Sequence, residues 1–579
     1  MKPTTHALMI AVLLSLLVLT VVSNQPVHHN AAAQTTHADD GVVEVDVSVR
    51  GTFLHADPYG IEDDGIPDPQ DGGPPEPPSI VELQAGGMSP GDKILISFRG
   101  SVDVYGGSNY KEVSNLYGVF STSADLKPIN QVHRVPGAIG AGTEAWTGPT
   151  YFGGGATDIP EDFKIAPSTG FWIEVPRNAR YLFICLWDSW YSDNKGPGPI
   201  KVTIEKDTDG DGLLDSWEMN GMDLDKDGTV DLDLPMLQAD WQRKDIFVEV
   251  DYMSGRAPRG DAMSDVKNAF AANGINLHVI VGEAIPFATV LNGWAEYDAL
   301  KASYFGTADE RSNPNAMEAK KLVFRYCLFV HQIWFDPPDY DVPGVAEVLG
   351  NDFIVAAGAF ANAGTRQYQA AVFMHELGHT LGLKHGGKDD VNYKPNYLSV
   401  MNYSFQFPIW KPNRPLDYSH GLFIELDEAN LNENEGIGLS EVTVWRAPDG
   451  LMHRSDGDLA IDWNCDNVTG EGVQVNLNDN PNEPSPAGQS LKDYNDWANL
   501  VYRFRDTRHW AASATLDEHH AELTGRQIQE MEEEAKNMPA LPSSGSGILT
   551  AIIYAAIGVG VAGILVAAVW LLKRKRSAP

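Results

Sequence analysis

Residues 370–385 read AAVFMHELGHTLGLKH, and the reading of this stretch decides what the largest part of the chain is built to do. An apolar run, Ala370 to Met374, leads at helical spacing into His375, Glu376 and His379. Residues four apart on a helix share one face, so His375 and His379 each present a ring nitrogen to a single metal ion. Glu376 projects beside them, placed to exchange a proton with water without itself being a ligand. Three residues on, Gly382 tolerates a positive φ and lets the chain turn back sharply, bringing His385 round as a third ligand. Three neutral imidazoles leave one position of a tetrahedral zinc ion open, which is the arrangement of a catalytic centre, and no cysteine lies in the stretch to suggest a structural one.

A short distance downstream stands Tyr397-Leu398-Ser399-Val400-Met401-Asn402-Tyr403. With a complete HExxHxxGxxH pattern followed by this methionine turn, the chain resembles the metzincin zinc metallopeptidases. The resemblance implies that Met401 forms an apolar floor beneath the metal. It implies that Tyr403 ligates zinc or stabilises the transition state, and that Glu376 serves first as base and then as acid. A polypeptide substrate would lie antiparallel to an edge strand above the helix and be cut within its length. In organisation the resemblance spans residues 240–510; its specific part is 375–403.

Upstream, IFVEVDYM reads as a buried strand, DAMSDVKNAFAANG as an amphipathic helix with a glycine stop, and NLHVIVGEAI as a second strand, so residues 240–510 are expected to be α/β. Before them, residues 206–236 carry acidic loops. Asp207, Asp209, Asp211, Gly212, Asp215 and Glu218 occupy positions 1, 3, 5, 6, 9 and 12 of an EF-hand-type loop, with the Leu213 carbonyl at position 7. A strand-like segment precedes the loop where an EF-hand has a helix, and the stretch resembles the calcium loops of dockerins and thrombospondin type 3 repeats. A second loop, Asp223, Asp225, Asp227 and Asp231, has Leu234 where the twelfth-position acid belongs.

Residues 81–205 consist of short β-branched and aromatic segments between Gly, Pro and Asn turns, the pattern of an all-β sandwich. Ser89-Pro90-Gly91-Asp92 and Val104-Tyr105-Gly106, with a later Ile184-Cys185-Leu186-Trp187-Asp188, resemble small calcium-dependent galactose-binding bacterial lectins. That resemblance implies a calcium and sugar site at Tyr105, Asp188, Asp193 and Asn194; a plain β-sandwich spacer is the other reading. Residues 34–80 are rich in Asp, Gly and Pro and read as linker, with one strand in VVEVDVSVRGTF belonging to the next domain.

The ends carry their own signals. Residues 1–33, with Lys2, an apolar run and Ala31-Ala32-Ala33, read as a secretory signal peptide. Residues 511–547 read as a helical stalk and linker, 548–572 as a single transmembrane helix without a charge, and 573–579 as a basic cytoplasmic tail. Leu541-Pro542-Ser543-Ser544-Gly545 resembles a sortase sorting signal, leaving cell-wall attachment beside membrane anchoring on the outer face. The formal net charge of −37 repels phosphates and excludes a nucleic-acid partner. Three cysteines permit at most one disulfide, so stability must come from cores and bound ions.

The expected architecture is thus multidomain: an N-terminal all-β sandwich, an α/β metzincin-like catalytic domain and a C-terminal transmembrane helix. The expected function is a surface-anchored zinc metalloendopeptidase acting on polypeptides, with zinc and calcium bound. The alternative is a calcium-dependent surface adhesin or carbohydrate-binding protein with an inactive or self-processing peptidase domain.

Overall fold

The computed structural model describes residues 36–37, 42–54, 76–105, 107–114, 116–127, 134–142, 159–165, 170–188, 191, 193–334, 342–481, 483–504 and 522–538. The chain divides into two compact units, Met1–Gly221 and Met222–Pro579.

In the first unit, one antiparallel sheet runs in the order Thr36–His37, Val42–Val47, Ile200–Asp207, Lys93–Arg99, Phe171–Glu174. A second joins Ser79–Glu82, Tyr181–Leu186, Leu116–Ser121 and Ala138–Ile139, with Phe163–Ile165 also paired to Leu116–Ser121. Alternation explains the packing: along Val42–Val47, Val43, Val45 and Val47 are buried while Glu44 and Asp46 face out. Val45, Ile96 and Val202 of the first sheet share one core with Leu116, Phe120 and Leu182 of the second. Each such buried side chain contributes about 1.5–3 kcal/mol.

The second unit is built on a sheet of five strands: β1 (Asp245–Met253), β2 (Asn276–Ile285), β3 (Phe324–Val330), β4 (Gly344–Ala346) and β5 (Asp352–Ala356), in the order β2-β1-β3-β5-β4. The pairings among β2, β1, β3 and β5 are parallel, and β4 joins β5 antiparallel at the edge. Every residue of β3 is buried, the near-continuous apolar run expected of a parallel strand covered on both faces. Helices α1 (Gly260–Ala272) and α2 (Arg366–Thr380) pack on each other, α1 also on β2 and α2 on β5 and β4. Residues 420–500 are mostly loops tied by two-stranded ladders, such as Val442–Arg446 with Met452–Asp456, around Trp410, Trp445 and Trp463. Helix α3 (Gly525–Ala535) starts at a capping box between Thr524 and Gln527. Its residues Met531 and Ala535, with Met538 beyond, pack on that same core.

The architecture expected from the sequence needs correction. The described chain is mixed α/β with several sheets, and among the described residues no helix is long and apolar enough to cross a membrane. The transmembrane helix assigned to 548–572 and the signal peptide assigned to 1–33 fall outside the described residues. Part of the stretch read as a stalk is α3, whose charged composition conceals an apolar face laid on the second unit. All three cysteines are free.

Candidate metal centre

Helix α2 is buried almost all round: every residue from Tyr368 to Thr380 is buried. It therefore carries its polar residues into the interior, where each needs a partner. It ends in a Schellman arrangement, Gly382 N–H donating to His379 O at 2.9 Å and Leu383 N–H to Gly378 O at 2.9 Å. Gly382 has φ +89°, and a Cβ there would stand 2.6 Å from Leu349 Cδ2, so both the turn and the packing require glycine. This reversal delivers His385 to the face that bears His375 and His379.

The rings are aimed by backbone carbonyls. His375 Nδ1 lies 2.9 Å from Val400 O, and His379 Nδ1 lies 2.8 Å from Leu383 O. A carbonyl only accepts, so both Nδ1 atoms carry the hydrogen and both Nε2 lone pairs face inward. Val400 belongs to the methionine turn, which is itself held by Asp496. The Asp496 carboxylate accepts from Tyr397 Oη at 2.9 Å, Ser399 Oγ at 2.6 Å and Ser419 N at 2.9 Å. Asn402 donates to Lys394 O and Tyr397 O, both at 2.8 Å, closing the turn. Met401 is fully buried, and its sulfur sits directly against α2 at Gly378.

Inside this frame a fourth donor meets the histidines. Glu522 Oε1 is 3.3 Å from His385 Nε2 and 3.4 Å from His379 Nε2, Glu522 Oε2 is 3.4 Å from His375 Nε2, and the Nε2 atoms of His375 and His379 are 3.1 Å apart. Tetrahedral zinc with bonds of about 2.0–2.1 Å separates its ligands by about 3.3–3.4 Å, so the donor set fits zinc. Two inward lone pairs at 3.1 Å repel each other unless a cation lies between them. The residues that would hold zinc are therefore His375, His379, His385 and Glu522, which form one cluster of candidate ligands.

The Glu376 carboxylate is wholly buried and neither oxygen has a hydrogen-bond partner. It lies against the edge strand: a Cβ built on Gly344 of β4 would stand 2.4 Å from Glu376 Oε1. Burial first, then the nearby Glu522 carboxylate, push the Glu376 carboxyl well above the ordinary range. Burial raises Glu522 as well, but His385 and His375 outweigh it and hold that group well below. Burial pushes His379 down to about 3, keeping it the neutral imidazole that a metal requires. Tyr403 Oη donates to Glu522 Oε2 at 3.0 Å, so it too faces the centre.

The structure thus gathers His375, Glu376, His379, His385, Met401 and Tyr403 at one place and adds Glu522, which the sequence reading did not single out. No spacing rule could have found Glu522, since it lies 137 residues beyond His385 in an acidic segment without a ligand pattern.

The acidic loops are in part assembled. Asp207, Asp209 and Asp211 each offer an oxygen within 4.8 Å of one another, between the strand Ile200–Asp207 and a short helix, Asp215–Asn220. Asp207 accepts from Gly210 N and Gly212 N, Asp211 from Leu213 N, and Asp215 is turned to Thr208, while Glu218 is buried on the helix. In the second loop Asp223, Asp225 and Asp231 converge, whereas Asp227 accepts from Thr229 N and stays outside the group. Tyr105 is 87% exposed, Asn194 donates its amide to Val49 O at 2.8 Å, and Asp188 N–H donates to Tyr191 Oη at 3.2 Å. Among the described residues, Asp188 and Asp193 belong to none of the groups of three or more His, Cys, Asp and Glu side chains that converge as those around His375 do.

No protein-family model matches the chain, and no curated protein matches it. Among solved structures it is similar to a zinc-dependent peptidase from Methanocorpusculum labreanum, at 15% identity and a TM-score of 0.20 over 27% of this chain and 87% of that one. It is similar to an archaemetzincin from Methanopyrus kandleri, at 16% identity and a TM-score of 0.19 over 27% of this chain and 81% of that one. The metalloproteinase-II from Bacteroides fragilis gives 13% identity and a TM-score of 0.21 over 31% of this chain and 50% of that one.

Proposed function

We propose that the second unit is a zinc-dependent metalloendopeptidase acting on polypeptides. The observation that carries this reading is the convergence of three inward Nε2 atoms beside a buried carboxylate with no partner, Glu376. A structural metal site has no use for such a carboxylate, and an ordinary core does not leave one unsatisfied.

When bound, zinc supplies a Lewis acid that acidifies water and polarises a carbonyl. The remaining work belongs to the side chains. His375, His379 and His385 hold the ion, and the carbonyls of Val400 and Leu383 fix two of the rings. Glu376, raised by its burial, takes a proton from the attacking water on a carboxylate oxygen and returns it to the departing amine. Tyr403 Oη faces the same centre and donates to the oxygen that gains charge. Strand β4 pairs with β5 on one side, and among the described residues no strand pairs on its other side. An extended polypeptide added there by β-augmentation would pass Glu376 at Gly344, which favours cleavage within a chain.

The test is digestion of a denatured protein mixture by the full chain and by Glu376→Gln, with the zinc of each measured. The expected result is equal zinc and a loss of cleavage of about 10²–10⁴-fold in the variant, the usual worth of a general base. Undiminished cleavage by Glu376→Gln would sink the assignment.

A further inference from the structure

Resting on that reading, we propose that Glu522 is a fourth protein ligand of the metal and that the segment carrying it keeps the enzyme latent. A catalytic zinc site holds three protein ligands and leaves the fourth position to water or substrate. Here a carboxylate stands at that fourth corner, 3.3–3.4 Å from the three Nε2 atoms, with only 5% of its side chain exposed. The same carboxylate engages Tyr403 Oη at 3.0 Å. One side chain therefore occupies both the position that the reacting oxygen needs and the hydroxyl that would stabilise its charge.

The segment behind Glu522 is anchored in a way that explains why the carboxylate stays. Leu523, next in sequence, is buried. Thr524 and Gln527 form a capping box that fixes the start of α3 two residues after Glu522. Along α3, Ile528 is buried, and Met531 and Ala535 pack on the core around Trp410 and Trp445. Glu534 accepts from Arg446 Nη2 and Nη1, at 2.9 and 3.1 Å, and from the Met452 N–H at 3.1 Å. Glu532 accepts from Asn362 at 2.8 Å and from Tyr368 Oη, the latter on the first turn of α2. With the helix docked, the carboxylate competes intramolecularly for the metal, at an effective concentration on the order of millimolar or above.

His375 and His379, whose Nδ1 atoms are committed to carbonyls, turn Nε2 lone pairs toward this carboxylate, a contact that repels unless a cation lies between, so it favours a metal-bound role over a packing one. A substrate that displaces Glu522 must outcompete it, and any event that lifts α3 frees the fourth position and Tyr403 together.

The experiment uses the full chain, its Glu522→Gln variant and a Met531→Glu variant that undocks α3 without touching a ligand, each loaded with cobalt(II). We expect the visible absorption of the wild-type cobalt form to change in the same direction in both variants. Cobalt affinity should fall about 10-fold or more in Glu522→Gln, the scale on which metal sites respond to lost support. With zinc restored, both variants should cleave a peptide substrate about 10-fold or more faster than wild type, by release of an intramolecular competitor. Superimposable spectra and affinities in all three, with unchanged cleavage, would overturn the latency proposal and leave the peptidase reading intact. Failure of the wild type to bind either metal would overturn both. Should Glu522→Gln fail to fold, Met531→Glu decides alone: a wild-type cobalt spectrum in that variant with α3 shown by proteolysis to be released refutes the ligand assignment.

Discussion

Gly378 lies on α2 one residue before the second histidine, and its replacement by alanine tests how the metal helix sits on the methionine turn. A Cβ at Gly378 would stand 2.5 Å from Met401 Sδ, 3.0 Å from Tyr418 Oη and 3.2 Å from Tyr418 Cε1. Non-bonded heavy atoms of this kind settle at about 3.5–4.0 Å, so the turn or the helix must give by about 1 Å. Tyr418 is buried and its hydroxyl donates to Met374 O at 2.6 Å, so it cannot step aside without losing that bond. Alanine gains about 0.8–1 kcal/mol in helix propensity. Overpacking costs about 1–3 kcal/mol, and a lost hydrogen bond adds about 0.5–1.5 kcal/mol. The net expectation is a destabilisation of about 0.5–4 kcal/mol. Val400 O, one residue from Met401, aims His375, so the displaced turn also loosens a ligand, and zinc affinity should fall about 10–100-fold. Thermal unfolding with and without a chelator, together with zinc competition titration, reads both effects. A Gly378→Ala variant as stable as wild type, with unchanged zinc affinity, would refute the proposed seating of the turn.

Two further outcomes follow from the same frame. In a Glu522→Gln background, Tyr403→Phe should lower kcat by about 10²-fold with little change in KM, since it removes a donor to the charged transition state; a rise in KM with kcat unchanged would assign Tyr403 to substrate binding instead. Asp496 is held up at about 7 by burial, which outweighs the hydrogen bonds it accepts from Ser399, Ser419 and Tyr397. A carboxyl raised above its unfolded value of 3.8 stabilises the fold fully below that pH and loses the contribution as pH climbs through about 7. Melting temperature measured from pH 5 to 8 should therefore fall more steeply in wild type than in Asp496→Asn, and parallel slopes would contradict the burial of that charge.

The cluster of candidate ligands was legible where its information is local. His375, Glu376, His379, Gly382 and His385 lie within one helix and one turn, so helical periodicity and the conformational freedom of glycine are enough to bring them together. The strand Asp245–Met253, helix Gly260–Ala272 and strand Asn276–Ile285 likewise follow from local alternation of apolar residues. Glu522 was not legible, because its position is set by how α3 docks, and docking depends on contacts among residues some 80 to 170 positions apart, such as Arg446 with Glu534 and Asn362 with Glu532. The composition of 525–538 pointed the wrong way for the same reason. Its run of glutamates reads as a solvated helix, while Ile528, Met531 and Ala535 recur at helical spacing and supply the face that packs. Asp496 and Asn402, which brace the methionine turn, were invisible because ordinary polar residues reveal such roles only through their partners.

Zinc-edge X-ray absorption of the full chain purified without added metal reads the identity and number of the ligands at this cluster. The expected result is one zinc per chain, with three imidazoles and an oxygen donor at about 2.0–2.1 Å. Fewer than three imidazoles, a sulfur ligand, or no bound zinc would contradict it.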